Sequence, residues 1–79
     1  MVRAGETYTH KKIVVKIMEV IPYRSYTGRR HLMIAYKIID GDFESPVAHF
    51  WKPEGEDIRP YIERVVEYYL EVRKSLLGR

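Results

Sequence analysis

The chain has 79 residues, of which 32% are charged and 46% hydrophobic, and its formal net charge is +3. This length allows one small domain, and the hydrophobic content excludes a disordered chain. Cysteine is absent, which excludes disulfides, thiolate metal clusters and a cysteine nucleophile.

Asparagine and glutamine are also absent, and the loss of all three labile residue types is typical of proteins from hyperthermophiles. The composition therefore predicts a cytoplasmic protein of a hot-adapted organism such as an archaeon. No apolar run approaches the roughly 18 residues of a membrane span, and residues 1–6 do not begin a signal peptide. We expect no membrane partner.

The first elements in chain order are strands. Residues 1–10 are predicted to form an N-terminal arm, and residues 11–21, which are rich in Ile and Val, a first strand. Residues 22–31 contain Pro and Gly and predict a hairpin loop with extended stems. A second strand is expected over 32–39, a tight turn over 40–42, and a third strand over 43–51. Pro46 cannot donate a backbone hydrogen bond, so the third strand should lie at an edge.

The last predicted element is a helix over residues 57–77. Its apolar side chains recur every three or four residues and predict one buried stripe: Ile58, Tyr61, Ile62, Val65, Val66, Tyr69, Val72 and Leu76. Asp57 suits the N-cap, Pro60 the first turn, and Gly78 the position after the C-terminus. The predicted fold class is α+β, with a three-stranded antiparallel sheet and one long C-terminal helix on one face (β-β-β-α), forming a single domain.

The two faces of this sheet can be assigned from the expected turns at residues 27–28 and 41–42. One face is expected to pack against the helix, and this face includes Val47, His49 and Trp51 on the third strand. The opposite face is too apolar for a solvated one and predicts a homodimer, or docking onto a larger assembly. Alternatively the register differs by one residue, or the N-terminal segment covers this face. The predicted interface consists of Met18, Val20, Met33, Ala35, Ala48 and Phe50.

Motifs for catalysis, phosphate loops and calcium loops are missing, so we predict no enzyme, no catalytic residue and no cofactor. The three histidines, His10, His31 and His49, are far apart in the sequence and predict packed or hydrogen-bonded side chains without a metal.

Positive charge is concentrated in the first half of the chain. Residues 1–37 carry eight basic and two acidic side chains, a net +6, whereas residues 38–79 carry six and nine, a net −3. The hairpin loop combines arginines, which pair with phosphates, and tyrosines, which stack on bases. Alternatively this is a solvated loop whose charge serves solubility. The predicted nucleic-acid contacts are Tyr23, Arg24, Tyr26, Arg29, Arg30 and His31, extended by Lys11, Lys12, Lys16 and Lys37.

The helix carries an acidic stripe, Glu63, Glu67 and Glu71, that phosphates would repel. We therefore expect a DNA- or RNA-binding protein that uses its first hairpin and forms a homodimer through the apolar face described above. The alternative is a protein-interaction or dimerisation module, such as an accessory subunit or a viral or archaeal regulator. In topology alone, the predicted fold is similar to integrase N-terminal and AP2-type DNA-binding domains and to the β-β-β-α part of double-stranded-RNA-binding domains.

Overall fold

An antiparallel sheet and one C-terminal helix make up the computed structural model, which describes residues 2–77 and confirms the predicted α+β class. The sheet has five strands where three were predicted. The strands are β1 (Thr7–His10), β2 (Ile13–Arg24), β3 (Arg30–Asp40), β4 (Phe43–Glu44) and β5 (Ala48–Pro53), followed by helix α1 (Arg59–Leu77). They pair in the order β1-β2-β3, and both β4 and β5 lie along the other side of β3.

The additional first strand comes from the predicted N-terminal arm. His10 pairs with Ile13, so Lys11 and Lys12 form the two-residue turn between β1 and β2. Both have positive φ, 52° and 68°, as the primed hairpin turns require. The expected strand start at Lys11 is therefore wrong, because these two lysines reverse the chain.

A β-bulge divides β2 into two halves. Ile17 pairs with Tyr36 and Glu19 pairs with Ala35, which leaves Met18 as the extra residue. Before the bulge the odd positions of β2 face the helix, as predicted. After the bulge the even positions do so, and Val20 packs against the core.

A second irregularity separates β4 from β5. Residues 43–44 pair with β3 in the predicted register, but residues 45–47 leave the ladder and β5 pairs one residue out of step. Phe50 consequently faces the helix, where its ring stacks on Tyr61 with centroids 5.6 Å apart. The prediction that His49 and Trp51 belong to the core is wrong, since both lie on the opposite face, which we call the open face.

The core lies between the sheet and α1. Ile17, Ile34 and Val66 are fully buried at its centre. Around them lie the other buried apolar side chains: Val2, Ile13, Val15, Leu32, Ile38, Ile58 and Ile62. The predicted stripe of the helix is confirmed in its first three turns, whereas Val72 and Leu76 are exposed.

Polar contacts hold both ends of the helix. The Asp57 carboxylate accepts the backbone N–H of Arg59, which confirms its predicted capping role. Near the other end, the Asp40 carboxylate accepts hydrogen bonds from Tyr69 Oη at 2.8 Å and Arg73 Nη1 at 3.0 Å. Partial burial and this hydrogen bond raise the pKa of Tyr69. The predicted cap at Gly78 lies outside the described residues.

Among residues 2–77, the helix is too polar along its length to cross a lipid bilayer.

Candidate nucleic-acid interface

The predicted basic loop is a hairpin that extends past the start of the helix. Ile58 lies beside Leu32 and Lys52, so the stem and tip beyond them have no helix underneath. The tip is closed by two backbone hydrogen bonds, from Ser25 N–H to Arg29 O at 2.9 Å and from Gly28 N–H to Ser25 O at 2.8 Å. Gly28 adopts φ +88°, a conformation that L side chains rarely take. The tip is thus an ordered turn that presents its side chains to solvent.

The arginines of the hairpin lie at its tip and on the helix side of its stem. Arg24 pairs in register with Arg30, and both are exposed. Arg30 Nε lies 3.6 Å from Glu54 Oε1, a loose contact. Within residues 2–77, no carboxylate forms an ion pair with Arg24 or Arg29. The hairpin therefore offers two guanidinium groups whose charge is not neutralised locally.

The aromatic residues of the hairpin occupy two different places. Tyr26 stands at the tip and is fully exposed. Tyr23 and His31 pair across the stem on the open face, where their rings stack with centroids 5.5 Å apart and planes 24° apart. These rings add aromatic surface to the open face, with Tyr23 39% exposed and His31 partly buried.

The open face continues this aromatic surface away from the tip. The next row across the sheet contains Ile21, Met33 and Trp51, in register on β2, β3 and β5. Trp51 is 57% exposed, and its ring lies 6.5 Å from that of His49. The β1 strand extends the sheet sideways, so within residues 2–77 no element covers this face.

The four lysines predicted to contact nucleic acid do not lie together in the structure. Lys16 and Lys37 pair across β2 and β3 on the open face. Lys12 projects from the turn between β1 and β2, and Lys11 forms an ion pair with Glu67 of the helix, with Nζ 2.7 Å from Oε2. Hydrogen bonds from Lys11 and His10 lower the pKa of Glu67, which keeps this carboxylate charged and Lys11 engaged.

Of the predicted nucleic-acid contacts, the structure brings Tyr23, His31, Lys16 and Lys37 onto one face. Arg29 and Tyr26 share the tip, whereas Arg24 and Arg30 lie on the other side of the stem. Sequence reasoning missed Trp51, His49 and Ile21, which the structure adds to the open face. For His49 and Trp51 the sequence signal was Pro46, whose missing N–H marks the place where the register of the last strand changes. Ile21 changes face because of the bulge at Met18, for which we found no sequence signal.

The predicted interface residues do not share a face. Met33 and Ala35 lie on the open face, and Met18 lies at the bulge. The other three lie on the helix side: Val20, Ala48 and Phe50. The prediction that these six form a single apolar surface is therefore wrong.

The exposed apolar surface on the helix side is instead a groove of about 610 Å³ between β5 and α1. Its walls include Val47 and Phe50 from the sheet and Tyr68 and Val72 from the helix.

Comparison with models of known protein families, with curated proteins and with solved structures finds no match to this chain.

Proposed function

We propose that this protein binds nucleic acid through the hairpin of β2 and β3, with the arginines of the hairpin on phosphates. The observation that carries the proposal is the charge of the hairpin: Arg24 and Arg29 are exposed and, in the described chain, have no carboxylate partner. Guanidinium groups pair with phosphate oxygens in a bidentate fork, so unneutralised arginines on a projecting turn suit a polyanion.

The charge of the rest of the molecule supports this orientation. The acidic stripe of the helix lies on the exposed side of α1, where Glu63 and Glu71 are both solvent-accessible. The charge of the helix is mixed, since it also carries four basic side chains, whereas residues 23–31 of the hairpin carry three arginines and no carboxylate. A polyanion is therefore attracted most strongly to the hairpin end.

The test is a salt series. In wild type, affinity for a short oligonucleotide should fall steeply as salt increases, because phosphate contacts release counterions. The variant Arg24→Ala/Arg29→Ala removes two such contacts, so the slope of log K against log salt should decrease by about 1.4 to 1.8. Fluorescence anisotropy of a labelled oligonucleotide measures both quantities.

The matched control removes two positive charges from the helix, in Arg59→Ala/Lys74→Ala. The two double variants have the same net charge. If the helix variant keeps the wild-type slope of log K against log salt, the phosphate contacts lie on the hairpin. If neither duplex nor single-stranded DNA nor RNA binds wild type at low salt, or if the two double variants behave alike, the proposal is wrong.

A second candidate function is self-association through β5 and the groove beside it. The β5 strand is an edge strand in the described sheet, and its only charged side chain, Lys52, is turned inward and buried. An edge strand leaves a row of backbone N–H and C=O groups without a neighbouring strand, and a second chain can pair with these groups. We propose a second copy as the occupant, because two identical edges pair antiparallel about a twofold axis and enclose both grooves.

Two aspartate variants distinguish this interface from the open face. Val72 lines the groove and Ile21 lies on the open face, and each is 40% exposed. We expect sedimentation equilibrium to give a dimer for wild type and for Ile21→Asp, and a monomer for Val72→Asp. A monomeric wild type, or dissociation by Ile21→Asp alone, contradicts the proposed interface.

A further inference from the structure

We infer that the ligand is single-stranded nucleic acid, with bases stacked on the open face around Trp51. This inference rests on the proposed function and adds the class of ligand. It concerns a different surface from the arginines of the hairpin, so the two can fail separately.

The first argument is the arrangement of flat rings. The stacked pair of Tyr23 and His31 and the row containing Trp51 occupy successive open-face rows, because Trp51 pairs with Met33 two residues along β3 from His31. Two residues of a strand span about 6.6 Å and neighbouring strands lie about 4.8 Å apart, so the rings follow a diagonal across β2, β3 and β5. Such a series is the platform on which successive bases of a single strand stack.

The second argument is the exposure of Trp51. Trp51 is 57% exposed, so the protein lacks much of the hydrophobic free energy that full burial of its indole ring would provide. The neighbouring side chains, Ile21 at 40% exposure and the partly buried Met33, give it an apolar surround without covering it. A base laid on this row covers the indole, and its edge stays accessible to solvent.

The third argument is the position of charge. Arg29 lies at the tip beyond one end of the aromatic series, and Lys16 and Lys37 lie beyond the other. Lys37 is partly engaged, since Glu44 Oε1 lies 3.4 Å from its Nζ, and Glu19 lies on the same face between the cations and the rings. The positive and negative charges of the open face nearly balance. We therefore expect this face to contribute to binding by stacking on bases, and not by binding phosphates.

Duplex DNA does not suit this surface. Its bases are paired and stacked on each other, so their faces are not available to aromatic side chains. A duplex can meet the arginines of the hairpin through its phosphates, but it leaves Trp51 uncovered.

Trp51 is the only tryptophan in the chain, so its fluorescence reports contact directly. Titration with a 15-nucleotide oligothymidylate should quench this fluorescence, and a duplex of the same length should bind at least about tenfold more weakly with little quenching. Stacking on one base typically contributes a factor of roughly 5 to 150 in affinity, so Trp51→Ala should weaken single-strand binding within that range. Anisotropy of labelled oligothymidylate measures the variant.

Two further variants complete the design. Trp51→Phe keeps a flat ring and should retain most of the affinity, which also guards against misfolding of the alanine variant. Tyr68→Ala removes an aromatic ring that is 72% exposed on the helix and should have no effect.

The outcomes separate the two proposals. If duplex and single strand bind equally, with no quenching and no effect of Trp51→Ala, the inference is wrong while the proposed function stands. If no nucleic acid binds at all, the proposed function fails with it. The inference is supported if the single strand binds preferentially and quenches the fluorescence, Trp51→Ala weakens this binding within the stated range, and Trp51→Phe preserves it.

Discussion

Lys52 is an unusual residue because its ammonium group is buried and, among residues 2–77, forms no ion pair with a carboxylate. The side chain is 3% exposed, and its Nζ donates to three backbone carbonyls, those of Pro53 at 2.8 Å, Glu54 at 3.3 Å and Glu56 at 2.5 Å. All three donors of the ammonium are therefore used. These hydrogen bonds hold the segment between β5 and the helix around the ammonium group, with Glu54 beside Arg30.

We predict that Lys52→Met destabilises the protein. The methionine keeps most of the apolar stem but leaves three carbonyls without their donor, and hydrogen bonds to charged groups contribute about 1.5 to 3 kcal/mol. A loss of about 2 kcal/mol in the free energy of unfolding lowers the melting temperature by roughly 8 to 16 °C in a domain of this size. Thermal denaturation followed by circular dichroism measures it.

The matched control is Lys16→Met, which changes an exposed lysine of the same sheet and should leave the melting temperature nearly unchanged. A Lys52→Met variant that melts at or above the wild-type temperature contradicts this role for the ammonium group.

At the scale of elements, the bulge at Met18 decides which side chains enter the core. The pairs on either side of it, Ile17 with Tyr36 and Glu19 with Ala35, are already adjacent on β3. Met18 can therefore be removed without changing a single cross-strand pair. Removing Val20 also yields a strand without a bulge, but Glu19 then occupies the helix-facing position opposite Ile34.

We predict different outcomes for these two single-residue deletions. Deletion of Met18 should cost no more than about 1 kcal/mol, since it removes an exposed side chain and regularises the ladder. Deletion of Val20 should cost about 3 kcal/mol or more, because an apolar contact is lost and a carboxylate is buried. Urea denaturation gives both values, and equal stability of the two variants would show that the bulge does not set the register.

The helix and the first hairpin could be predicted from sequence because several local signals agree there. Periodic apolar residues, Asp57 and Pro60 all indicate the same helix, and the Pro- and Gly-containing loop indicates the hairpin. The faces of the last strand could not be predicted, because one extra residue reverses them and Pro46 indicates an interrupted ladder without indicating the register after it. Trp51 was assigned to the core for that reason alone. The turn at Lys11 and Lys12 was missed because it lacks the usual Asn-Gly or Asp-Gly.

At the scale of the whole molecule, the elongated shape separates two ends of different chemistry. The molecule measures 46 × 23 × 20 Å, with the basic hairpin at one end of the sheet and the last turns of the helix at the other. The proposed nucleic-acid surface consists of the hairpin and the open face, whereas the groove beside β5 lies on the helix side of the sheet. Nucleic-acid binding and self-association use different faces, so both proposals are sterically compatible in one molecule.

The hairpin that projects past the helix also affects how the protein opens. The core covers the helix side of β2 and β3, so we expect the amide groups at their centre to exchange with solvent deuterium only through global unfolding. The amides of residues 24–30 lack this cover, so they exchange through local fraying at much lower free energy. A ligand bound at the tip would suppress this fraying, and its presence would be recorded as slowed deuterium uptake at these residues.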